Sequence, residues 1–129
     1  FVGGVDVAQS MEEANAETLI IAQIESAPGV EQVEEIAAVA GIDVLWIGHL
    51  DLTVSLGIPG RYRHPDFTGA VARVLAAAQA AGKAAAVKVG TVDEGRQRLG
   101  EGFRCICYGD DVRLVRESLR VAVDALRSV

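Results

Sequence analysis

Apolar positions along the chain follow two periods by turns. Short β-branched runs such as Leu19-Ile20-Ile21-Ala22 and Val44-Leu45-Trp46-Ile47 have the length and content of buried strands. The pattern predicts strands over Thr18 to Glu25, Asp43 to Ile47, Ala84 to Val89 and Phe103 to Tyr108. Between the first two, Val30, Val33, Ile36, Ala37 and Ala40 recur at helical spacing, so a helix is expected over Val30 to Val39, closed by Gly41. Pro28 suits that helix's first turn. Met11 to Ala16 reads as the tail of an earlier helix ending near Asn15. His64-Pro65-Asp66 opens a long Ala-rich helix to Ala81, stopped by Gly82. Thr91 caps a helix through Leu99, with Asp93 and Glu94 in its first turn and Gly100 and Gly102 about its end. Asp110 or Asp111 starts the last helix, to Leu126. Gly48 to Pro65, which holds Gly57, Pro59 and Gly60, is expected as an irregular functional loop with one short helical turn.

Strand and helix therefore alternate through four units. That pattern implies an α/β fold with a parallel sheet, right-handed crossovers and one domain over residues 1–129. Sites in such sheets lie at the carboxyl ends of strands. At 50% hydrophobic the chain can bury a core, and its low aromatic share of 5% suits Ala and Val packing of helices on a sheet. A formal charge of −6 without a basic cluster excludes nucleic acid and an anionic membrane as expected partners. No apolar run is long enough to span a bilayer. Phe1-Val2-Gly3-Gly4-Val5-Asp6 has no basic n-region, so a cytoplasmic protein is expected. Cys105 and Cys107 share one strand face and lie too far apart to bridge, so core packing in a reducing compartment is the reading.

Two stretches carry candidate chemistry. Gln23-Ile24-Glu25 closes the first strand, and Gly48-His49-Leu50-Asp51-Leu52 follows the second. Side chains alternate across a strand, which places Gln23 and Glu25 on one face. Glu25 and Asp51, at the ends of consecutive strands, can meet at one rim of the sheet. A hard divalent cation favours that arrangement, with water and substrate oxygens completing its shell. The competing reading has Asp51 capping a helix or turn and Glu25 solvated at a strand end.

These stretches, with Ser55-Leu56-Gly57-Ile58-Pro59-Gly60, His64-Pro65-Asp66-Phe67, Gly82-Lys83 and Gly102-Phe103-Arg104, run in an order that resembles the HpcH/HpaI aldolase/citrate lyase family, from about Asn15 to Arg127. The nearest likeness is to its divalent-metal aldolases of 2-keto-3-deoxy and 4-hydroxy-2-oxo acids. The resemblance implies Glu25 and Asp51 as ligands of Mg²⁺ or Mn²⁺. It implies Gln23 and the backbone N–H groups of Leu50 and Asp51 as contacts of a pyruvate-like 2-oxo acid. The implied activity is retro-aldol cleavage of a 4-hydroxy-2-oxo acid to pyruvate and an aldehyde. Two alternatives stand beside it: a citrate-lyase β-subunit-like acyl-CoA lyase, and a catalytically inactive half-barrel that serves binding or assembly.

The family's (β/α)8 barrel needs about 250 residues, and this chain resembles its second half, strands five to eight. An open half leaves two bare sheet edges and a wet inner face. A homo-oligomer, association with a complementary half-barrel, or a place in a longer gene product is therefore expected. A self-standing flavodoxin-like sheet is the alternative and requires helices on both faces. The family's base and arginine belong to the half not represented here, so two residues are weighed as substitutes. His49 stands where the family usually has Pro, as a substrate contact, as a surrogate base, or as a loop residue partly satisfied by backbone. Lys88 stands where the family tends to be apolar, either forming a Schiff base with a keto acid, pairing with Glu25 or Asp51, or snorkelling to the rim. His64 reads as structural, and Arg61 and Arg63 as surface residues of the loop.

Overall fold

The computed structural model describes residues 6–128; the amino-terminal residues weighed above for a leader lie, Asp6 apart, outside the described residues. Four parallel strands form one sheet in the order β1-β2-β3-β4. They are β1 (Ile21–Ile24), β2 (Val44–Ile47), β3 (Ala84–Val89) and β4 (Cys105–Tyr108). Sequential order is the arrangement of a barrel segment. The doubly wound alternative reverses its strand order at a switch point, and this sheet does not.

Seven helices accompany the strands among the described residues: α1 (Val7–Glu17), α2 (Ala27–Glu31), α3 (Val33–Ala38), α4 (His49–Ser55), α5 (Pro65–Ala80), α6 (Val92–Glu101) and α7 (Asp111–Arg127). Local chemistry explains the boundaries. Asp6 caps α1 through the N–H groups of Ala8 and Gln9, and Thr18 ends it by returning its hydroxyl to the Ala14 carbonyl at 2.6 Å. The first strand is consequently shorter than expected, because residues 18–20 are spent leaving the helix. The Asp43 carboxylate takes the Ile20 N–H at 2.9 Å and leads the ladder in. The single helix expected over Val30 to Val39 is two, broken at Gln32, and it ends at Ala38, before Gly41. Gly102 closes α6 in the left-handed region, at φ 107°, which glycine adopts without a Cβ penalty.

Strand pleating divides the sheet into unlike faces. Ile24, Leu45, Ile47, Ala85, Val87 and Val89 point to the helical side and join Val33, Phe67, Val74 and Ala78 in the core. Helix α5 lies over β2 and β3, α6 lies over β3 and β4, and α3 packs on α5. Each fully buried Leu, Val or Phe contributes about 1.5–3 kcal/mol, and the many alanines of α5 let its axis approach the strands. The opposite face carries Gln23, Trp46, Ala86 and Cys105 side by side in register, with Lys88 beside Cys107 one step further on. That face is the inner wall of a barrel. Trp46 and both cysteines are half-buried on it, and the thiols are free, so they line the inner wall instead of joining the core. Helices α1 and α7 bury no residue of their own, and Val112 and Leu126 stand 71% and 77% exposed. No helix among the described residues is long and apolar enough to cross a membrane.

Candidate functional site

Where the strands end, a cleft of about 520 Å³ opens. Gln23 and the first turn of α4 form its wall on the β1–β2 side, Trp46 contributes from the inner face, and Lys88, Asp110 and Arg113 form the β3–β4 side.

The β1–β2 wall follows from one glycine. Gly48 leaves β2 and donates its N–H to the Ile24 carbonyl at 3.0 Å, then becomes the N-cap of α4. A Cβ on Gly48 would stand 2.5 Å from the Glu25 Cβ, 2.9 Å from the Gln23 amide nitrogen and 2.9 Å from a Glu25 carboxylate oxygen. Glycine thus lets Gln23 of β1 and Glu25 just beyond it lie against the start of α4. Gln23 donates its amide N–H to the Glu25 carboxylate, which orients both. Asp51 occupies the first turn of α4, and that helix has no side-chain cap, so the Asp51 carboxylate is not spent on capping. The first intrahelical bond is made by Leu52 to Gly48 at 2.9 Å, which leaves the N–H groups of Leu50 and Asp51 ahead of the helical ladder.

The segment expected to be irregular is therefore largely helical at its start. Thr53, fully buried, explains its order: its hydroxyl donates to the Leu50 carbonyl at 2.7 Å and accepts the Gly60 N–H at 2.9 Å. Ile58 adds a backbone bond to the Thr53 carbonyl at 2.8 Å. The loop so folded delivers Tyr62 to the cleft. Neither Thr53 nor Tyr62 is among the residues expected at the site from sequence; the hydroxyl of Thr53 between the apolar Leu52 and Val54, just after the second motif, is the signal that could have found it.

His49 sits half-buried against Phe67 and Tyr62, with ring centroids 5.6 and 6.1 Å away. Its Nδ1 lies 3.0 Å from the Ile47 carbonyl, so that nitrogen carries the proton and Nε2 keeps a free lone pair. Burial pushes its pKa below the ordinary imidazole value. The ring is partly satisfied by backbone, as expected of a loop residue, and it also lines the cleft. His64 is the N-cap of α5, accepting the Asp66 N–H at 3.3 Å, and Arg61 and Arg63 are exposed.

Lys88 pairs with neither Glu25 nor Asp51. Its Nζ lies 2.8 Å from Asp110 Oδ2, because the parallel register sets Lys88 beside Cys107 and the chain turns at Gly109 straight into Asp110. Glu25 follows β1, two strand spacings and about 10 Å away. The bond to Asp110 raises the Lys88 pKa. A Schiff-base lysine needs the opposite shift. Asp110 is also the N-cap of α7, accepting the Arg113 N–H at 2.8 Å, and its pKa is held down first by Lys88.

Among the described residues no three His, Cys, Asp or Glu side chains converge as a ready cation cage. The donor set is instead Asp51, which lines the cleft, and Glu25, which is not among the lining residues and lies against Gln23 and Gly48, so that most positions around an ion would be left to outside oxygens. Mg²⁺ and Mn²⁺ accept that set.

Parallel strands in sequential order, helices on one face and a polar cleft at the strand ends define a protein of the (β/α)8-barrel type, represented by four of its units. The sequence profile of the HpcH/HpaI aldolase/citrate lyase family matches residues 4–118, and the chain belongs to that family. It is 41% identical over 118 residues to a hydroxypyruvate/pyruvate aldolase of Paraburkholderia phytofirmans, covering 92% of this chain and 45% of that protein. A 5-keto-4-deoxy-D-glucarate aldolase of Klebsiella pneumoniae is 31% identical, over 89% of this chain and 45% of its own length. A crystal structure of a family member from Burkholderia cenocepacia superposes with a TM-score of 0.84 at 42% identity, covering 92% of this chain and 46% of that one. The chain thus spans less than half the length of these relatives.

Proposed function

We propose that this chain carries the metal-binding and 2-oxo-acid-binding part of a divalent-metal-dependent aldolase that cleaves 4-hydroxy-2-oxo acids to pyruvate or hydroxypyruvate and an aldehyde. The observation that carries this reading is the meeting of Gln23, Glu25 and the first turn of α4 around Gly48. Glu25 and Asp51 are the ligands of Mg²⁺ or Mn²⁺. When bound, the ion supplies Lewis acidity at the keto oxygen, where negative charge develops as the C3–C4 bond breaks. Gln23 orients Glu25 and offers its amide to the substrate's keto or carboxylate oxygen. The N–H groups of Leu50 and Asp51 hold the substrate carboxylate. Neutral His49, with its lone pair at Nε2, is a group able to take the proton of the 4-hydroxyl as that carbon becomes an aldehyde. The names of the relatives support the reaction class, and the donor set supports the metal.

The test is Mn²⁺ binding, read by electron paramagnetic resonance with and without pyruvate, beside pyruvate release from a 4-hydroxy-2-oxo acid. Wild-type chain is expected to bind Mn²⁺ more tightly when pyruvate is present. Glu25→Gln and Asp51→Asn each weaken Mn²⁺ by at least about tenfold, the loss of one charge-assisted contact. Mn²⁺ binding unchanged by both substitutions refutes the site. Binding without pyruvate release makes the chain a binding module.

A further inference from the structure

We propose that the Lys88–Asp110 ion pair determines which aldehyde this cleft accepts, by hydrogen-bonding hydroxyl groups at the end of the substrate remote from its 2-oxo acid. The inference rests on the reading just given, which places the 2-oxo acid against Gln23 and α4. Lys88 and Asp110 line the same cleft from the β3–β4 side. Strands β1 and β3 stand about 10 Å apart, within reach of an extended sugar-acid chain.

An ionic side chain on the inner face of β3, flanked in sequence by Val87 and Val89, is costly unless its hydrogen-bonding groups are met. Asp110 meets one of the three donors on Lys88 Nζ and leaves the others free. Asp110 divides its own acceptors between Lys88 at Oδ2 and the Arg113 N–H at Oδ1. Each of the two side chains is 44% exposed, so the pair presents a donor and an acceptor 2.8 Å apart to whatever enters the cleft. A hydroxyl donates and accepts at once, which fits such a pair. A carboxylate in the same place is attracted by Lys88 and repelled by Asp110 at similar range, so it gains little net over water. Arg113 does not offset that repulsion freely, since its guanidinium is already engaged by Glu117 at 2.8 Å and turned toward the Gly90 carbonyl. An alkyl chain, finally, strips the pair of water and returns nothing.

The test is calorimetric titration of the chain in Mn²⁺ with two ligands of equal length, a 2-oxo-3-deoxyhexonate and 2-oxohexanoate. The readout is the ratio of their affinities. Wild type is expected to favour the hydroxylated acid, and Lys88→Met is expected to lower the ratio about tenfold, equivalent to about 1.4 kcal/mol. Asp110→Asn, which keeps a capping oxygen for α7, lowers it in the same direction and serves if Lys88→Met does not fold. An unchanged ratio overturns the proposal. So does an equal loss of both ligands, the mark of a pair that merely ties β3 to α7. If wild type binds neither ligand, the aldolase reading itself fails and this inference falls with it.

Discussion

Gly48 and Glu25 are packed so closely that a methyl group on the glycine would stand 2.5 Å from the Glu25 Cβ. The backbone φ at Gly48 is −80°, so conformation does not demand glycine there; space does. Gly48→Ala must push β1 away from the start of α4. The expected outcome is a loss of about 1–3 kcal/mol, with weaker Mn²⁺ binding. Chemical denaturation and a metal titration check it, and an alanine variant with wild-type stability and metal affinity would show the contact to be loose.

Thr53→Val keeps the volume and removes the hydroxyl. The Gly60 N–H then loses its acceptor beside a fully buried position. A loss of about 1–3 kcal/mol is expected, with faster amide exchange at Gly60 than elsewhere in the chain. Unchanged exchange at Gly60 would mean that another acceptor takes over.

Phe67 lies fully buried against His49, and burial is the first cause of the lowered His49 pKa. Phe67→Ala is expected to cost about 3–5 kcal/mol; the milder Phe67→Leu admits some water and moves the His49 titration back toward 6.5, as NMR of the ring protons would record. A folded-state pKa below the unfolded value means the unfolded chain binds the proton more readily. The His49 contribution to stability is therefore complete above pH 6.5 and is lost as the pH falls below it.

The Lys88–Asp110 pair has two pH limits. Asp110 is depressed below its ordinary 3.8, so its contribution is present above that pH and lost as the pH falls through the folded value. Lys88 is raised above 10.5, so its contribution is present below that pH and lost as the pH rises through the folded value. The difference in melting temperature between wild type and Asp110→Asn is expected to be greatest between these limits and to shrink toward both. High salt should reduce it as well, because the pair is partly exposed. A difference that holds constant across pH would assign the effect to something other than the pair.

Four strands, their parallel α/β setting and the two motifs at the ends of β1 and β2 were legible in the sequence, because short β-branched runs and helical spacing report local burial. So were the cap at Thr91 and the helix starts near His64 and Asp110, though only the structure chose Asp110 over Asp111 and made His64 a cap. Alternation along residues 18–25 set Gln23 and Glu25 on one face, and their side chains do meet, though the pattern did not show that Gln23 would donate to Glu25. The break at Gln32, the extent of the helix His49–Ser55 within a stretch expected to hold only one helical turn, and the exact limits of α1 escaped the pattern, since such boundaries are decided by packing and by single bonds such as that from the Gly60 N–H to Thr53. The partner of Lys88 also escaped it. Only the register of β3 on β4 brings Asp110 to that side chain, and register is a relation between strands that neither strand's own sequence contains.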